Sequence, residues 1–81
     1  MKIRRWYASP AARRHMLEKH NVTWGEVDEV MDSTPQVRRG RKLRREQRYY
    51  VEGRTYAGRP LTVAFRMRGD TAVIVTAYEG W

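Results

Sequence analysis

The residues of this chain that could carry out acid–base chemistry begin with a small group near position 20. His15 and His20 are its two histidines, and Lys19 stands beside His20. Cleavage of RNA without a metal needs a base for the ribose 2′-hydroxyl proton, a cation for the crowded phosphorane and an acid for the leaving oxygen. Histidine, lysine, arginine and tyrosine can fill all of these roles. A histidine on an apolar helical stripe is, however, more often a hydrogen-bonded core residue, so His20 needs support from other features.

A basic run in the middle of the chain supplies that support. Residues 38–48 contain seven of the 17 lysines and arginines: Arg38, Arg39, Arg41, Lys42, Arg44, Arg45 and Arg48. Charge this dense repels itself, which predicts that phosphates or a strongly acidic protein neutralise it. The net charge of +8 alone predicts non-specific adhesion to nucleic acids, so the position of the charge matters more than its amount.

Length and composition predict a single domain spanning residues 1–81 that folds around a small core. Hydrophobic residues make up 41% of the chain and cysteines are absent, which excludes disulfides and thiolate zinc sites. With no long apolar run, no membrane contact is expected, and the bacterial cytoplasm is the expected location. Asp28 and Asp32 lie one helical turn apart, but no converging ligands accompany them, so neither metal nor cofactor is predicted.

Two helices are predicted in the first half. Ser9-Pro10 has the pattern of a helix start, and Ala12, Met16, Leu17 and His20 then recur at helical spacing up to about His20. Thr23 and Glu26 have the spacing of a capping box. The second helix has an apolar stripe of Trp24, Val27, Val30 and Met31 and is expected to end before Pro35.

Beyond the basic run, the apolar spacing changes from helical to alternating. Leu61–Arg68 has large apolar residues at odd positions and predicts a half-buried strand. Ala72–Tyr78, after a Gly69-Asp70 turn, is apolar on both sides like a central strand, and Arg48–Tyr56 supplies a partner.

The predicted fold is therefore α+β, with two N-terminal helices packed on one face of an antiparallel sheet of three to five strands. The outer two strands would lie near Ile3, within Met1–Tyr7, and near Val37.

The two faces of this sheet are predicted to differ chemically. If Val63, Phe65, Val73 and Val75 pack under the helices, the opposite face carries arginines interleaved with tyrosines. These residues are Arg48, Tyr50, Arg54, Tyr56, Arg66, Arg68 and Tyr78. Guanidinium groups bind phosphates and flat rings stack on bases, so this face suits RNA. Basic, solvated strands are also common without any such role.

From Glu18 onward, the chain resembles the BrnT family of bacterial type II toxins, small ribonucleases whose fold is similar to that of the RelE group. The matching motifs are residues 18–23 (EKHNVT), 26–30 (EVDEV), 48–49 (RY), 58–63 (GRPLTV) and 73–77 (VIVTA). The family usually has a lysine and an asparagine earlier on helix 1, where this chain has Ala12 or Arg13 and then Met16. An Arg-rich C-terminal extension would also follow where this chain has Tyr78-Glu79-Gly80-Trp81. These departures bear on catalysis more than on fold.

The resemblance implies an endoribonuclease that halts translation, and an antitoxin partner that masks the basic sheet and binds operator DNA. Carried over by position, Lys19, His20, Arg48 and Arg59 fall in family motifs. Arg66 and Tyr78 are candidates from sheet geometry alone. The predicted roles are phosphate binding by Arg48 and Arg66, proton transfer by His20 or Lys19, and stacking or proton donation by Tyr78.

The other basic and aromatic residues are predicted to bind RNA: Arg38, Arg39, Arg41, Lys42, Arg44, Arg45, Tyr50, Arg54, Tyr56, Arg59 and Arg68. Two alternatives remain open. A non-catalytic RNA or DNA binder would use the same face without His20 or Lys19. A protein-interaction module would dock an acidic partner on the basic run.

Overall fold

A sheet of five strands carries two helices on one of its faces. The computed structural model describes residues 2–33 and 36–81. In chain order, the elements are β1 (Arg5–Tyr7), α1 (Pro10–His20), α2 (Trp24–Asp32), β2 (Val37–Leu43), β3 (Glu46–Arg54), β4 (Pro60–Arg68) and β5 (Thr71–Glu79). The strand order is β1-β5-β4-β3-β2. α1 lies against β5 and α2 against β3 and β4, which confirms the predicted α+β arrangement.

The sheet is mixed rather than purely antiparallel. β2, β3, β4 and β5 form an antiparallel meander, but β1 pairs in parallel with β5, with Trp6 opposite Ala72. The expectation of an antiparallel sheet is therefore wrong at this edge. Both helices and three strands separate β1 from β5 in the chain, and a long connection of this kind permits a parallel pair.

Local signals at the helix ends set the two helices as predicted. The Ser9 side chain accepts a hydrogen bond from the Ala12 N–H at 3.1 Å, and Asn21 ends α1 in the left-handed region with φ 54°. In α2, the Thr23 side chain accepts from the Glu26 N–H at 3.1 Å while Glu26 accepts from the Thr23 N–H at 3.0 Å. Met1 and Pro35, which figured in the predicted boundaries, lie outside the described residues.

The core lies between the helices and the sheet. Its fully buried side chains include Met16, Val22, Val27, Val30, Val51, Leu61, Val63 and Phe65. Leu17, expected on the apolar stripe of α1, is 50% exposed, so that prediction is wrong. Neighbouring positions on a helix point about 100° apart, so a helix that buries Met16 against one strand leaves Leu17 outside.

A β-bulge between β4 and β5 changes which residues of β5 face the core. Ala64 pairs with Thr76, but Phe65 pairs with Ile74, so β5 holds one extra residue there. Ala72 and Ile74 are buried in the core, whereas Val73 and Val75 are only half-buried. The prediction that Val73 and Val75 pack under the helices is therefore wrong by one residue. Val63 and Phe65 are buried as predicted.

Candidate nucleic-acid interface

Arg48 and Arg66 form the centre of a cluster on the helix-free face, which is the sheet face opposite α1 and α2. Tyr49 pairs with Phe65, so Arg48 and Arg66 are neighbours on adjacent strands. Glu46 lies with them: its Oε1 is 3.1 Å from Arg48 Nη1 and its Oε2 is 3.8 Å from Arg66 Nε. A cleft of about 780 Å³ opens here, lined by residues 43–49, Arg66 and Met67.

The Arg48 guanidinium is held in this cleft without full hydrogen bonding. Its side chain is 21% exposed, and its Nη1 atom is buried with no hydrogen-bond partner within residues 2–33 and 36–81. The nearby Glu46 oxygen is at ion-pair distance but outside hydrogen-bond geometry. A buried charged donor of this kind is costly to leave unsatisfied. An acceptor oxygen that reached this atom would satisfy it.

Two arginine–aromatic pairs lie elsewhere on the helix-free face. The Arg38 guanidinium is 5.1 Å from the centre of the Tyr50 ring, and that of Arg54 is 5.2 Å from the Trp81 ring. Gly40 makes room for Tyr50, because a Cβ at this position would overlap the ring. Such pairs present flat apolar surfaces beside positive charge, which suits unpaired bases next to phosphates.

The predicted proton-transfer residues lie at the other end of the sheet. The His20 ring centre is 6.0 Å from that of Tyr78 and 5.6 Å from that of His15. Tyr78 pairs with Thr62, four positions along β4 from Arg66, which is about 13 Å at the rise of a strand. The predicted catalytic residues therefore divide into two groups, Arg48 with Arg66 and His20 with Tyr78. Lys19 is exposed next to His20.

Arg59 lies outside both groups and is engaged within the protein. It forms ion pairs with Glu79 at 2.6 Å and Glu26 at 2.9 Å, and it donates to the backbone carbonyls of Asn21 and His20. The hydrogen bonds to Glu79 and then Glu26 raise the pKa of Arg59. These contacts join the end of α1, the start of α2 and the end of β5. The position that the family motif singled out therefore has a structural role here.

Tyr56 does not lie on the helix-free face, which corrects the prediction. β3 ends two residues earlier, at Arg54, and the chain then turns towards α2. The Tyr56 N–H donates to Glu29 Oε1 at 2.9 Å, and its hydroxyl is 3.5 Å from Asp32 Oδ2. The negative charges of Asp32 and then Glu29 raise the pKa of Tyr56. A ring among carboxylates is poorly placed to meet phosphates.

The remaining predicted RNA-binding residues are distributed over both faces and the hairpin between β2 and β3. Arg38, Tyr50, Arg54 and Arg68 share the helix-free face with Arg48 and Arg66 by strand register. Arg39 and Lys42 pair with Tyr49 and Gln47, whose side chains point to the helix side, and Arg41 lies in the irregular stretch between them. Arg44 and Arg45 form the hairpin turn.

Three residues of the interface were missed by sequence reasoning. Glu46 and Glu52 place negative charge on the helix-free face, where Glu52 lies 3.5 Å from Arg38. The two-residue spacing of Glu46 and Arg48 could have placed them on one face. Trp81 follows the last strand, and no periodic signal could have located it.

Comparison with known proteins adds a family to this geometry. The model of a domain of unknown function, DUF4258, matches residues 9–79. The chain belongs to this family. No curated protein matches the sequence of this DUF4258 chain.

The DUF4258 chain is similar in structure to the ribonuclease toxin BrnT of Brucella abortus, known from a 1.1 Å crystal structure. The TM-score is 0.73 and the sequence identity 11%, over 95% of this chain and 96% of that one. The BrnT-like fold predicted from sequence motifs is thereby confirmed. Within the described parts of the DUF4258 chain, no group of three or more His, Asp or Glu side chains could hold a metal ion. No helix in those parts is long and apolar enough to cross a membrane.

Proposed function

We propose that this DUF4258 chain is a toxin-like endoribonuclease that cleaves single-stranded RNA without a metal and so inhibits translation. The observation that carries the proposal is the pair of adjacent arginines, Arg48 and Arg66, on an open face of a fold shared with a ribonuclease toxin. Paired guanidinium groups bind the phosphate backbone through charge-assisted hydrogen bonds. Arginines with stacked aromatic rings extend the same surface.

In this proposal, one RNA strand crosses the helix-free face at Arg48 and Arg66 and continues to the end of β5, where Tyr78 meets His20 of α1. Arg48 and Arg66 hold its phosphate charge. His20 or Lys19 takes the proton from a ribose 2′-hydroxyl, the 2′-oxygen attacks phosphorus, and the 5′-oxygen leaves with a proton from Tyr78. The products are a 2′,3′-cyclic phosphate and a 5′-hydroxyl end. The close contact of the His20 and Tyr78 rings supports a joint role.

An antitoxin protein is the proposed partner. The positive charges of the helix-free face and of the hairpin between β2 and β3 repel one another in the free protein. An acidic surface of a partner that covers them would both neutralise this charge and block the binding of RNA. Binding of operator DNA would come through the antitoxin. The proposed location is the cytoplasm, where RNA and such a partner meet.

Cleavage in EDTA tests the proposal. Purified protein is incubated with labelled single-stranded RNA and with the same sequence made of deoxynucleotides, which lacks the attacking hydroxyl. We expect cutting of the RNA alone, a reduction of at least about tenfold in Arg48→Ala and in His20→Ala, and no change in Arg4→Ala at the far edge of the sheet. Induced expression should arrest growth, and Arg48→Ala should relieve the arrest. Intact RNA at micromolar protein would end the proposal.

A non-catalytic nucleic-acid binder is the second candidate. The division of the candidate residues into two groups favours it, because Arg66 lies four positions along β4 from Thr62, the partner of Tyr78, and cations set apart from the proton-transfer residues stabilise the developing charge less effectively. This function predicts tight, salt-dependent binding with no product, and an affinity that His20→Ala leaves unchanged.

A further inference from the structure

Glu46 occupies the position between Arg48 and Arg66 where a bound phosphate would be expected. One carboxylate oxygen faces Arg48 and the other faces Arg66. A carboxylate in this position resembles two oxygens of a phosphodiester, which carries the same single negative charge. The cluster is thus an anion site that already contains an anion from the protein itself.

Glu46 is a poor ligand for this site. Charge-assisted hydrogen bonds between guanidinium and carboxylate groups are normally about 2.7–2.9 Å long, whereas the two contacts here are 3.1 and 3.8 Å. The Arg48 Nη1 atom gains no hydrogen bond from Glu46 or from the other described residues. The Glu46 side chain is 43% exposed, so it can turn out to solvent without crossing the core.

The backbone also favours displacement. Glu46 is the first residue of β3 and pairs with Leu43 across the two-residue turn Arg44-Arg45. It therefore stands at the end of a hairpin next to solvent, whereas Arg48 and Arg66 lie further inside the sheet. The Glu46 side chain is also more exposed than that of Arg48, at 43% against 21%.

We propose that Arg48 and Arg66 form a phosphodiester-binding subsite and that the Glu46 carboxylate is its internal ligand, released when a phosphodiester of the nucleic-acid strand takes its place. The inference rests on the proposed function in that the strand is the RNA substrate. Phosphate oxygens supply the acceptor that Arg48 Nη1 lacks. Competition from Glu46 lowers the affinity for isolated anions and favours a strand anchored at several points.

Binding of a short single-stranded DNA oligonucleotide, which cannot be cleaved, tests the inference. Glu46→Gln keeps the size of the side chain and removes the competing charge, so we expect binding about three- to tenfold tighter at low salt. Asp70→Asn is the matched control, since it also removes one negative charge and frees one arginine, Arg4, from an ion pair of 3.5 Å. Its expected change is less than twofold. The aspartate of Glu46→Asp has a shorter side chain, so the DNA affinity of this variant should lie between those of the wild type and Glu46→Gln.

A double variant traces the effect to the arginine. In the Arg48→Ala background, Glu46→Gln should no longer tighten binding. The inference is overturned if Glu46→Gln binds no tighter than Asp70→Asn, if it binds more weakly than the wild type, or if the gain persists without Arg48. Circular dichroism and thermal unfolding confirm that each variant is folded.

The readout separates this inference from the ribonuclease proposal. If the protein cuts no RNA but Glu46→Gln tightens DNA binding through Arg48, the subsite stands and the ribonuclease activity fails. If the protein cuts RNA but Glu46→Gln leaves DNA binding unchanged, the ribonuclease proposal holds and the inference that Glu46 is an internal ligand is wrong.

Discussion

The Arg59 guanidinium lies 2.9 Å from both carboxylate oxygens of Glu26, although the two residues are 33 positions apart in the chain. The same carboxylate caps the first turn of α2 through the Thr23 N–H. Arg59 also reaches the carbonyls at the end of α1 and the Glu79 carboxylate. One cation thus satisfies groups from three elements, and the position of α1, with Lys19 and His20 at its end, depends on it.

Loss of Arg59 should therefore destabilise the whole fold rather than affect RNA alone. Hydrogen bonds to charged groups each contribute about 1.5–3 kcal/mol, discounted here for partial exposure, so Arg59→Ala should lower the free energy of unfolding by about 1–3 kcal/mol. Urea unfolding measures this. Arg4→Ala, which removes one exposed ion pair at 3.5 Å, should cost less than about 0.5 kcal/mol. Equal effects of the two variants would contradict the structural role of Arg59.

Glu26 should make stability depend on pH in the acid range. Burial works to raise the pKa of Glu26, but the hydrogen bond from the Thr23 backbone and the Arg59 guanidinium outweigh it and lower the pKa below its ordinary value of 4.5. The stabilisation is therefore fully present above about pH 4.5 and is lost as the pH falls through the lower, folded-state pKa. Glu26→Gln should be less stable at neutral pH and should show a flatter loss of stability on acidification. An unchanged acid profile would exclude this role for Glu26.

Local chemistry explains why the helices and β4 could be predicted from the sequence. The Ser9-Pro10 start and the Thr23–Glu26 box act within one turn, and the alternation of Leu61, Val63 and Phe65 locates the strand and its core-facing side. These features need no knowledge of distant residues. The prediction that this strand is half-buried is wrong, because Thr62 and Ala64 are buried as well.

The errors depend on tertiary contacts that no local pattern encodes. The bulge opposite Phe65 shifts β5 by one residue, so Ala72 and Ile74 replace Val73 and Val75 in the core. β1 is parallel to β5 because of the path that the chain takes between these two strands, and the residues of β1 itself do not encode this direction. The ion pair of Glu46 with Arg66 joins two different strands. The ion pairs of Arg59 with Glu26 and Glu79 join residues that are distant in the chain.

Gly40 should be required for the Tyr50 ring to occupy its place. A Cβ at position 40 would overlap the ring, so Gly40→Ala should cost about 1–3 kcal/mol through overpacking and should displace the ring from Arg38. Gly25→Ala is the matched control. A Cβ there meets only Thr23 Oγ1 at 3.9 Å, and alanine in α2 should be neutral or stabilise by up to about 1 kcal/mol. Thermal unfolding of both variants tests the contrast, which disappears if Tyr50 is free to move.

Trp81 should contribute a stacking surface for a base. Trp81 is 61% exposed, and its ring lies beside the Arg54 guanidinium. Stacking of a base on an aromatic ring contributes about 1–3 kcal/mol, so Trp81→Ala should weaken binding of single-stranded RNA by roughly five- to 150-fold, and Trp81→Phe by less. Tyr7→Ala removes a ring that is also exposed, but on β1 at the opposite edge, and should leave the affinity unchanged. Equal losses in the alanine variants would indicate a non-specific effect.

Arg44 should lower the stability of the fold while it increases the affinity for RNA. It begins the two-residue turn between β2 and β3 with φ 58°, a conformation that glycine adopts freely and that costs other residues about 1–2 kcal/mol. Arg44→Gly should therefore stabilise the fold by up to about 1 kcal/mol in urea unfolding, whereas Arg44→Ala, which keeps the strain, should not. Both variants lose the same charge, so both should bind RNA more weakly and flatten the dependence of log affinity on log salt by about 0.7 if Arg44 contacts one phosphate. A stabilised glycine variant with unchanged RNA affinity would mean that the arginine is tolerated at this turn for a reason other than nucleic acid.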